Sequence, residues 1–521
     1  MKENSAIEDI YNWIKGKVKK QWIVTFVASM CIGLLTYGYF LTNRFLTYDS
    51  MWNIYSRQDM ISSGRQFLTY VCRISSDYDL PFLNGLLAIF YLALTAIVLV
   101  EIFRVKSNIG AVLLSGLLVT FPSVISTFCY TFTVDGYMLA LLMVAVAFWL
   151  TDNRRFGCVA GAVLLGISLG VYQAYLAFLM VLCVLMLLLY LLEEGDLKKL
   201  LGKVGRYAVM GIGGYAFYVV SLNIMLSVKG VELSGYQGTD KINSFSLAQL
   251  PAGIQSAFWN FVNFARWENV LTTTDVMKLV FLLSLLVGAG MYAYLFWKKG
   301  CLKKPLTIIL AVLLVAVLPF CATVINIMSP DTTHHLLMRG AWSLFFIFVV
   351  VVTERMAGYV TKREQKVKQV VSAVAMLCSV VLIFEFAKMA HIVSFNMQER
   401  YEKNYALTLR IVERLEQTEG YQHGMKVAIL GGEPSEEIFP STDITAGDLS
   451  GYFGAGGDYS LNSTEKFAAF MAHYMNVTIQ TIEYQEEVKL TETVEFQEME
   501  KFPNSECIRL IGDVWVVKLN G

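Results

Sequence analysis

Residues 157–192 read GCVAGAVLLGISLGVYQAYLAFLMVLCVLMLLLYLL, without a single Asp, Glu, Lys or Arg. As one helix the stretch would run about 54 Å at 1.5 Å per residue, against a hydrocarbon core about 30 Å thick. It is too long for one crossing. Arg154 and Arg155 stand before it, and Lys198, Lys199, Lys203 and Arg206 after it. Basic flanks stay on the cytoplasmic side, so equal flanks require an even number of crossings. The stretch therefore predicts a helical hairpin that turns on the outer side near Gly170–Gln173.

The same reading extends outward in both directions. Trp22–Thr42 follows Lys15, Lys17, Lys19 and Lys20. It is too long for a signal-peptide core and no small-residue cleavage site follows, so it reads as a retained first span leaving a cytoplasmic N-terminus. Pro81–Phe103 returns to Arg104 and Lys106, Ile109–Phe128 exits, and Gly136–Leu150 returns to Arg154 and Arg155. After the hairpin, Tyr207–Val228 exits and Asp275–Trp297 returns to Lys298, Lys299, Lys303 and Lys304. Pro305–Met328 exits, Leu336–Val352 returns to Arg355, Lys362, Arg363, Lys366 and Lys368, and Gln369–Phe386 exits. Backbone groups in lipid must be paired within their own segment, which makes these spans helices. The expectation is a polytopic α-helical membrane protein with about eleven transmembrane helices. Its transmembrane domain would cover 1–388, with outer loops 43–80 and 229–274, and an extracytoplasmic α/β domain would cover 389–521.

The tail carries the signals of that second domain. Gln398–Gln417 is charged and amphipathic and reads as a helix leaving the membrane. Lys426–Gly432 reads as a buried strand ending in a turn, and Asn462–Glu465 as a helix start. Val477–Tyr484 and Cys507–Leu519 read as strands, the latter holding a Gly512-Asp513 turn.

Composition sets the exclusions. Of 521 residues, 56% are hydrophobic and 16% charged, below the roughly 25% of a soluble chain. Lys and Arg (42) balance Asp and Glu (42), so no global field draws nucleic acid. Cys31, Cys129, Cys158, Cys183, Cys321 and Cys378 lie inside spans and no CxxC occurs, which argues against a disulfide or metal framework. His334-His335 has no third ligand in sight. No cofactor is expected; a divalent ion stays an open alternative that no ligand cluster calls for.

Span interiors are nearly free of ionisable groups, whereas ion-coupled transporters place them near the midplane. The polar groups gather at the outer rim: Asp49, Arg57, Asp59 and Arg65, then Asp135, Tyr172 and Gln173, then His334, His335 and Arg339. Such a rim suits a reaction between a lipid-borne substrate and an exposed acceptor. Glycosyl transfer needs a carboxylate to take the acceptor's hydroxyl proton and cations to hold the departing phosphate. Aromatic and amide groups bind sugars by stacking and hydrogen bonding. Each residue also has a plain role. Asp49 would be a solvated interfacial carboxylate, Asp135 a partner for a helix dipole, and the arginines snorkelling anchors. Tyr172-Gln173 would only mark a turn, Glu101 and Arg104 pair at a helix end, and Gly431-Gly432 falls short of a nucleotide fingerprint.

In order and spacing, several segments carry a likeness to a known group. Tyr48-Asp49 comes just after the first span and Ser63-Gly64-Arg65 follows. Pro81-Phe-Leu-Asn84 opens the second span, and Thr120-Phe-Pro122 lies late in the third. Tyr130–Asp135 opens the fourth, and Gly170-Val-Tyr-Gln-Ala174 breaks the hairpin. Across most of its length the chain resembles the glucosyltransferase II family, the polytopic O-antigen and surface-glycan glucosyltransferases of bacteria. The resemblance implies a GT-C-like enzyme that moves a glucosyl or similar residue from a polyprenyl-phosphate sugar to a surface glycan outside the cell membrane. It implies Asp49 as first choice for the base and Asp135 as second. Arg65 and Arg339 would hold the lipid phosphate, Tyr172 and Gln173 would line the sugar site, and Tyr48 and Asp59 would contribute to substrate binding. One departure stands out: the family often shows two adjacent acids after the first span, whereas Ser50 follows Asp49 here. A lipid-linked sugar flippase, or a surface-polysaccharide polymerase or ligase, is the competing reading.

Overall fold

The computed structural model describes residues 6–45, 47, 49–235, 249–266, 275–329, 335–356, 364–432 and 461–520. The chain divides into two compact units: Met1–Thr42 with Tyr55–His391, and Asn43–Ile54 with Ile392–Gly521.

The helices in chain order begin with α1 (Ala6–Lys15), α2 (Lys20–Thr42), α3 (Ser50–Asn53), α4 (Leu68–Cys72), α5 (Pro81–Phe103) and α6 (Asn108–Val119). Next come α7 (Pro122–Phe128), α8 (Thr131–Asn153), α9 (Gly157–Leu169), α10 (Tyr175–Glu193), α11 (Leu197–Lys229) and α12 (Leu250–Ala265). They continue with α13 (Asp275–Lys298), α14 (Pro305–Ala322), α15 (Val324–Met328), α16 (Ser343–Arg355) and α17 (Gln365–Gln417). Among the described residues, nine helices are long and apolar enough to cross a bilayer, or ten if the bent pair α6–α7 forms one span. The expected count of about eleven falls because α9, at 13 residues, covers only about 20 Å.

The long apolar stretch breaks between Leu169 and Tyr175. α6 and α7 meet at 49°, because Pro122 donates no backbone hydrogen bond and holds Phe121 extended (φ −57°, ψ 139°). Leu336–Trp342 winds as a 3₁₀ turn before α16 begins. Within the first unit α5 packs against α2 and α8, and α9 against α8 and α11. Ion pairs tie helix ends: Lys203 Nζ lies 2.5 Å from Asp152, which also accepts from Tyr207 at 2.6 Å. Glu354, late in α16, accepts from the Lys106 and Ser107 backbone N–H groups at 3.0 Å each, and from the Ser107 hydroxyl. Residues 229–274, expected as a loop, contain the 16-residue α12.

In the second unit, β1 (Val427–Leu430), β2 (Ile508–Ile511) and β3 (Val514–Lys518) form a sheet of order β1-β3-β2. β1 runs parallel to β3, and β2 and β3 form a hairpin across Gly512. Leu407 and Ile411 of α17 join Val427, Ile429, Phe467, Phe470, Phe502 and Val517 in its core. Ser463 caps the helix Thr464–Phe470 by accepting from Lys466 N. The strand expected over Val477–Tyr484 does not form. Gln480 makes a single bridge to Lys426, and Tyr484 already begins a helix to Thr491. The amphipathic segment from Gln398 is the end of the continuous 53-residue α17, not a separate helix.

Candidate functional site

The turn Met60–Arg65 begins the site in the first unit. Gly64 adopts φ +73° and closes the turn by donating to Ile61 O at 2.9 Å, a backbone state that β-carbon-bearing residues rarely accept. Arg65 N then donates to Met60 O at 3.1 Å. Gln173 pins this turn from the break between α9 and α10. Its Nε2 lies 3.1 Å from Ser63 O, 2.9 Å from Gly64 O and 3.2 Å from the Tyr218 hydroxyl. Gln66 adds a second pin, donating to Tyr218 O at 3.2 Å and to Ser221 Oγ at 3.1 Å. Phe67 N donates to Gly170 O at 2.8 Å.

The pinned turn delivers Arg65 to an aromatic pair. Arg65 Nη1 donates to the Tyr137 hydroxyl at 2.9 Å. Tyr137 and Tyr172 stack with centroids 4.5 Å apart, and the guanidinium carbon lies 5.6 Å from the Tyr172 ring centre. Tyr172 is 2% exposed, and its hydroxyl has no hydrogen-bond partner among the described residues. A buried polar atom left unpaired costs about 1–3 kcal/mol. Such an atom calls for a partner of its own, such as a water, an ion or a ligand.

One turn into α8, Asp135 is 1% exposed, and one of its carboxylate oxygens has no partner among the described residues. Ser75 stands near this carboxylate, its own hydroxyl donating to Cys72 O at 2.8 Å. α4 packs on this part of α8, with Cys72 beside Gly136. Nearby, Thr131 Oγ1 donates to Asp79 at 2.8 Å and Asn84 donates to Thr131 O at 3.2 Å. The Asn84 carbonyl oxygen is buried and also unpartnered among the described residues.

The remaining expected residues have other partners. Arg339 sits in the 3₁₀ turn before α16, its guanidinium 4.9 Å from the Phe264 ring centre and 3.4 Å from both oxygens of Asn260. Both partners belong to α12. Asp59 is paired with Lys229 at 3.3 Å, both side chains well exposed. Asp49 belongs to the second unit. It is exposed and stands at the start of α3 without capping it through its side chain. Its backbone carbonyl accepts from Asn53 Nδ2 at 2.7 Å. Lys466 feels its charge. Burial lowers the lysine's pKa from its ordinary value, and Asp49 acts against that shift.

Tyr48 and His334 lie outside the described residues. His335 is described, and burial holds its imidazole below the ordinary pKa. Among the described residues no three His, Cys, Asp or Glu side chains are grouped to hold a metal ion.

Sequence reading missed Gln66, Tyr137, Tyr218, Asn84 and Asn260. Tyr137 is only two residues beyond the aromatic segment singled out before α8, so helical spacing offered a signal. Gln66 and Tyr218 offered none, being 152 positions apart.

Against known proteins, no curated protein and no solved structure matches. A family model described as Glucosyl transferase GtrII matches residues 38–353. That stretch contains every expected site residue from Tyr48 to Arg339, and it covers well over half of the chain. The chain belongs to the glucosyl transferase GtrII family.

Proposed function

We propose that this glycosyltransferase takes its sugar from a polyprenyl phosphate and delivers a glucosyl or similar residue to a surface glycan on the outer side of the membrane, within a GT-C-like architecture. The observation that carries the reading is Arg65 held against the stacked Tyr137–Tyr172 pair, with a buried phenolic hydroxyl free to bond a ligand. A guanidinium fixed in this way binds a phosphate oxygen through charge-assisted hydrogen bonds. It also neutralises the charge that builds on the phosphate as the glycosidic bond breaks. Both rings are buried against each other, so the Tyr172 hydroxyl is the group left to meet the sugar. Gln173, with its Nε2 committed to the Ser63–Gly64 turn, positions Arg65 and is assigned with Tyr172 to the sugar site.

The base must accept a proton from a hydroxyl of a bulky glycan. Asp49 suits that task by exposure and by having no capping bond to break. Asp135 is the buried second carboxylate, suited to orienting a hydroxyl through its unpartnered oxygen. Arg339 is assigned to the lipid phosphate as a second cation. Asp59 and Tyr48 are assigned to the acceptor's approach. The N-terminus is placed in the cytoplasm and the second unit outside, following the basic flanks.

The test is release of polyprenyl phosphate by the purified full-length protein, given polyprenyl-phosphate glucose and a crude wall glycan. Release that stops in Asp49→Asn supports the reading. Passage of the sugar across a vesicle membrane with no lipid phosphate released would replace it with a flippase.

A further inference from the structure

The helix α12 enters the chemistry above only as the seat of Arg339, yet its composition is unusual for a segment between spans. Its sequence, LPAGIQSAFWNFVNFA, carries no charged residue. Ile254, Phe258 and Trp259 are 39%, 43% and 52% exposed, on one side of the helix. The opposite side is buried and closely packed. Thr323 Oγ1 donates to Ala257 O at 3.0 Å, and a β-carbon on Gly253 would stand 2.6 Å from Ile327 O. That same side presents Asn260 and Phe264 to Arg339.

At 16 residues, α12 reaches about 24 Å, short of a hydrocarbon core of about 30 Å. The charges beside its neighbours agree that it does not cross. α11 begins among Lys198, Lys199, Lys203 and Arg206, and α13 ends at Lys298 and Lys299. If both basic ends lie on one side, the segment joining the other two ends makes no net crossing.

Its buried side packs against α14 and α15, and α14, a candidate span, exposes Val315 and Val317 in the half nearer that contact. An exposed apolar face with tryptophan at its edge is suited to the boundary between acyl chains and headgroups.

We infer that α12 is a non-spanning, lipid-embedded helix whose Ile254–Phe258–Trp259 face contacts the acyl chains of the bilayer while its other face seats Arg339. The partner is bilayer lipid, and the contact does not depend on the glycosyl-transfer reading. It is tested on the full-length protein in phosphatidylcholine vesicles containing a phosphatidylcholine with a diazirine in its acyl chain. After photolysis, peptides are mapped by mass spectrometry. Adducts at Ile254, Phe258 and Trp259 should reach within about threefold of those on the exposed residues of α14, as for any face buried in lipid. Labelled α14 beside bare α12 would overturn the inference, since a second copy or another segment of the chain would then cover that face. No activity enters the readout, so its failure leaves the proposed reaction standing.

Discussion

Asp49 and Asp135 are both acids beside the ends of apolar helices, and their surroundings are opposite. Asp135 is buried in the first unit, next to Ser75 and Cys72, with an oxygen that nothing described satisfies. Asp49 is exposed in the second unit, where Lys466 is its charged neighbour. Several buried polar groups among the described residues of the second unit are matched. Thr464 Oγ1 bonds both the N–H and the carbonyl of Ile429, Leu461 N donates to Asn404 Oδ1, and Lys518 Nζ donates to the Phe496 and Gln497 carbonyls. Those groups hold a fold together. Unmatched atoms at Tyr172, Asn84 and Asp135 weaken the fold they sit in, and a ligand that bonded them would repay the cost.

Substitutions put that contrast to the test. Asp49→Asn should lower turnover by about 10²–10⁴-fold in the phosphate-release assay, the range for loss of a general base. Arg65→Ala should raise KM for the lipid donor about 10- to 100-fold, the scale of a hydrogen bond to a charged group. Arg65→Lys should recover only part of that, because a lysine cannot reproduce the flat guanidinium over Tyr172. Asp135→Asn should cost about tenfold in kcat, since an amide keeps one acceptor while losing the charge. A larger loss there than in Asp49→Asn would exchange the two roles.

The smallest effect is expected at Lys518. Burial lowers its pKa from the ordinary lysine value, so the unfolded chain binds more protons than the folded one over a window ending at about 10.4. Stability therefore rises with pH through that window. Protease resistance of the second unit in the full-length protein should increase with pH as the alkaline range just below about 10.4 is entered. Lys518→Met should remove that increase, and a methionine variant that still gained resistance would place its source elsewhere.

What the sequence made legible was governed by distance along the chain. The apolar stretch around Gly170 announced its own break, because no single span can be that long and still fit the membrane. Thr120-Phe-Pro122 was flagged, though not the 49° bend it causes. The Gln173–Ser63 and Gln66–Tyr218 pairings were unreadable, since hydrogen bonds between positions more than a hundred residues apart leave no local pattern. α12 was hidden because its apolar face looks outward as well as inward, blurring the period that marks a helix on a protein core. Val477–Tyr484 failed for the opposite reason: its alternating apolar residues match a strand, but only Gln480 finds a neighbour to pair with.

The clasp made by Glu354 has a consequence for biosynthesis. Glu354 lies 247 positions beyond Ser107, whose backbone it binds. A ribosome adding about 5–20 residues per second needs roughly 10–50 s to cover that interval. Until then the Lys106 and Ser107 amides await their acceptor, so the joint between α5 and α6 matures only after the bulk of the bundle has been inserted. A ribosome stalled before residue 354 would thus hold a nascent bundle whose Lys106–Ser107 joint still lacks its carboxylate.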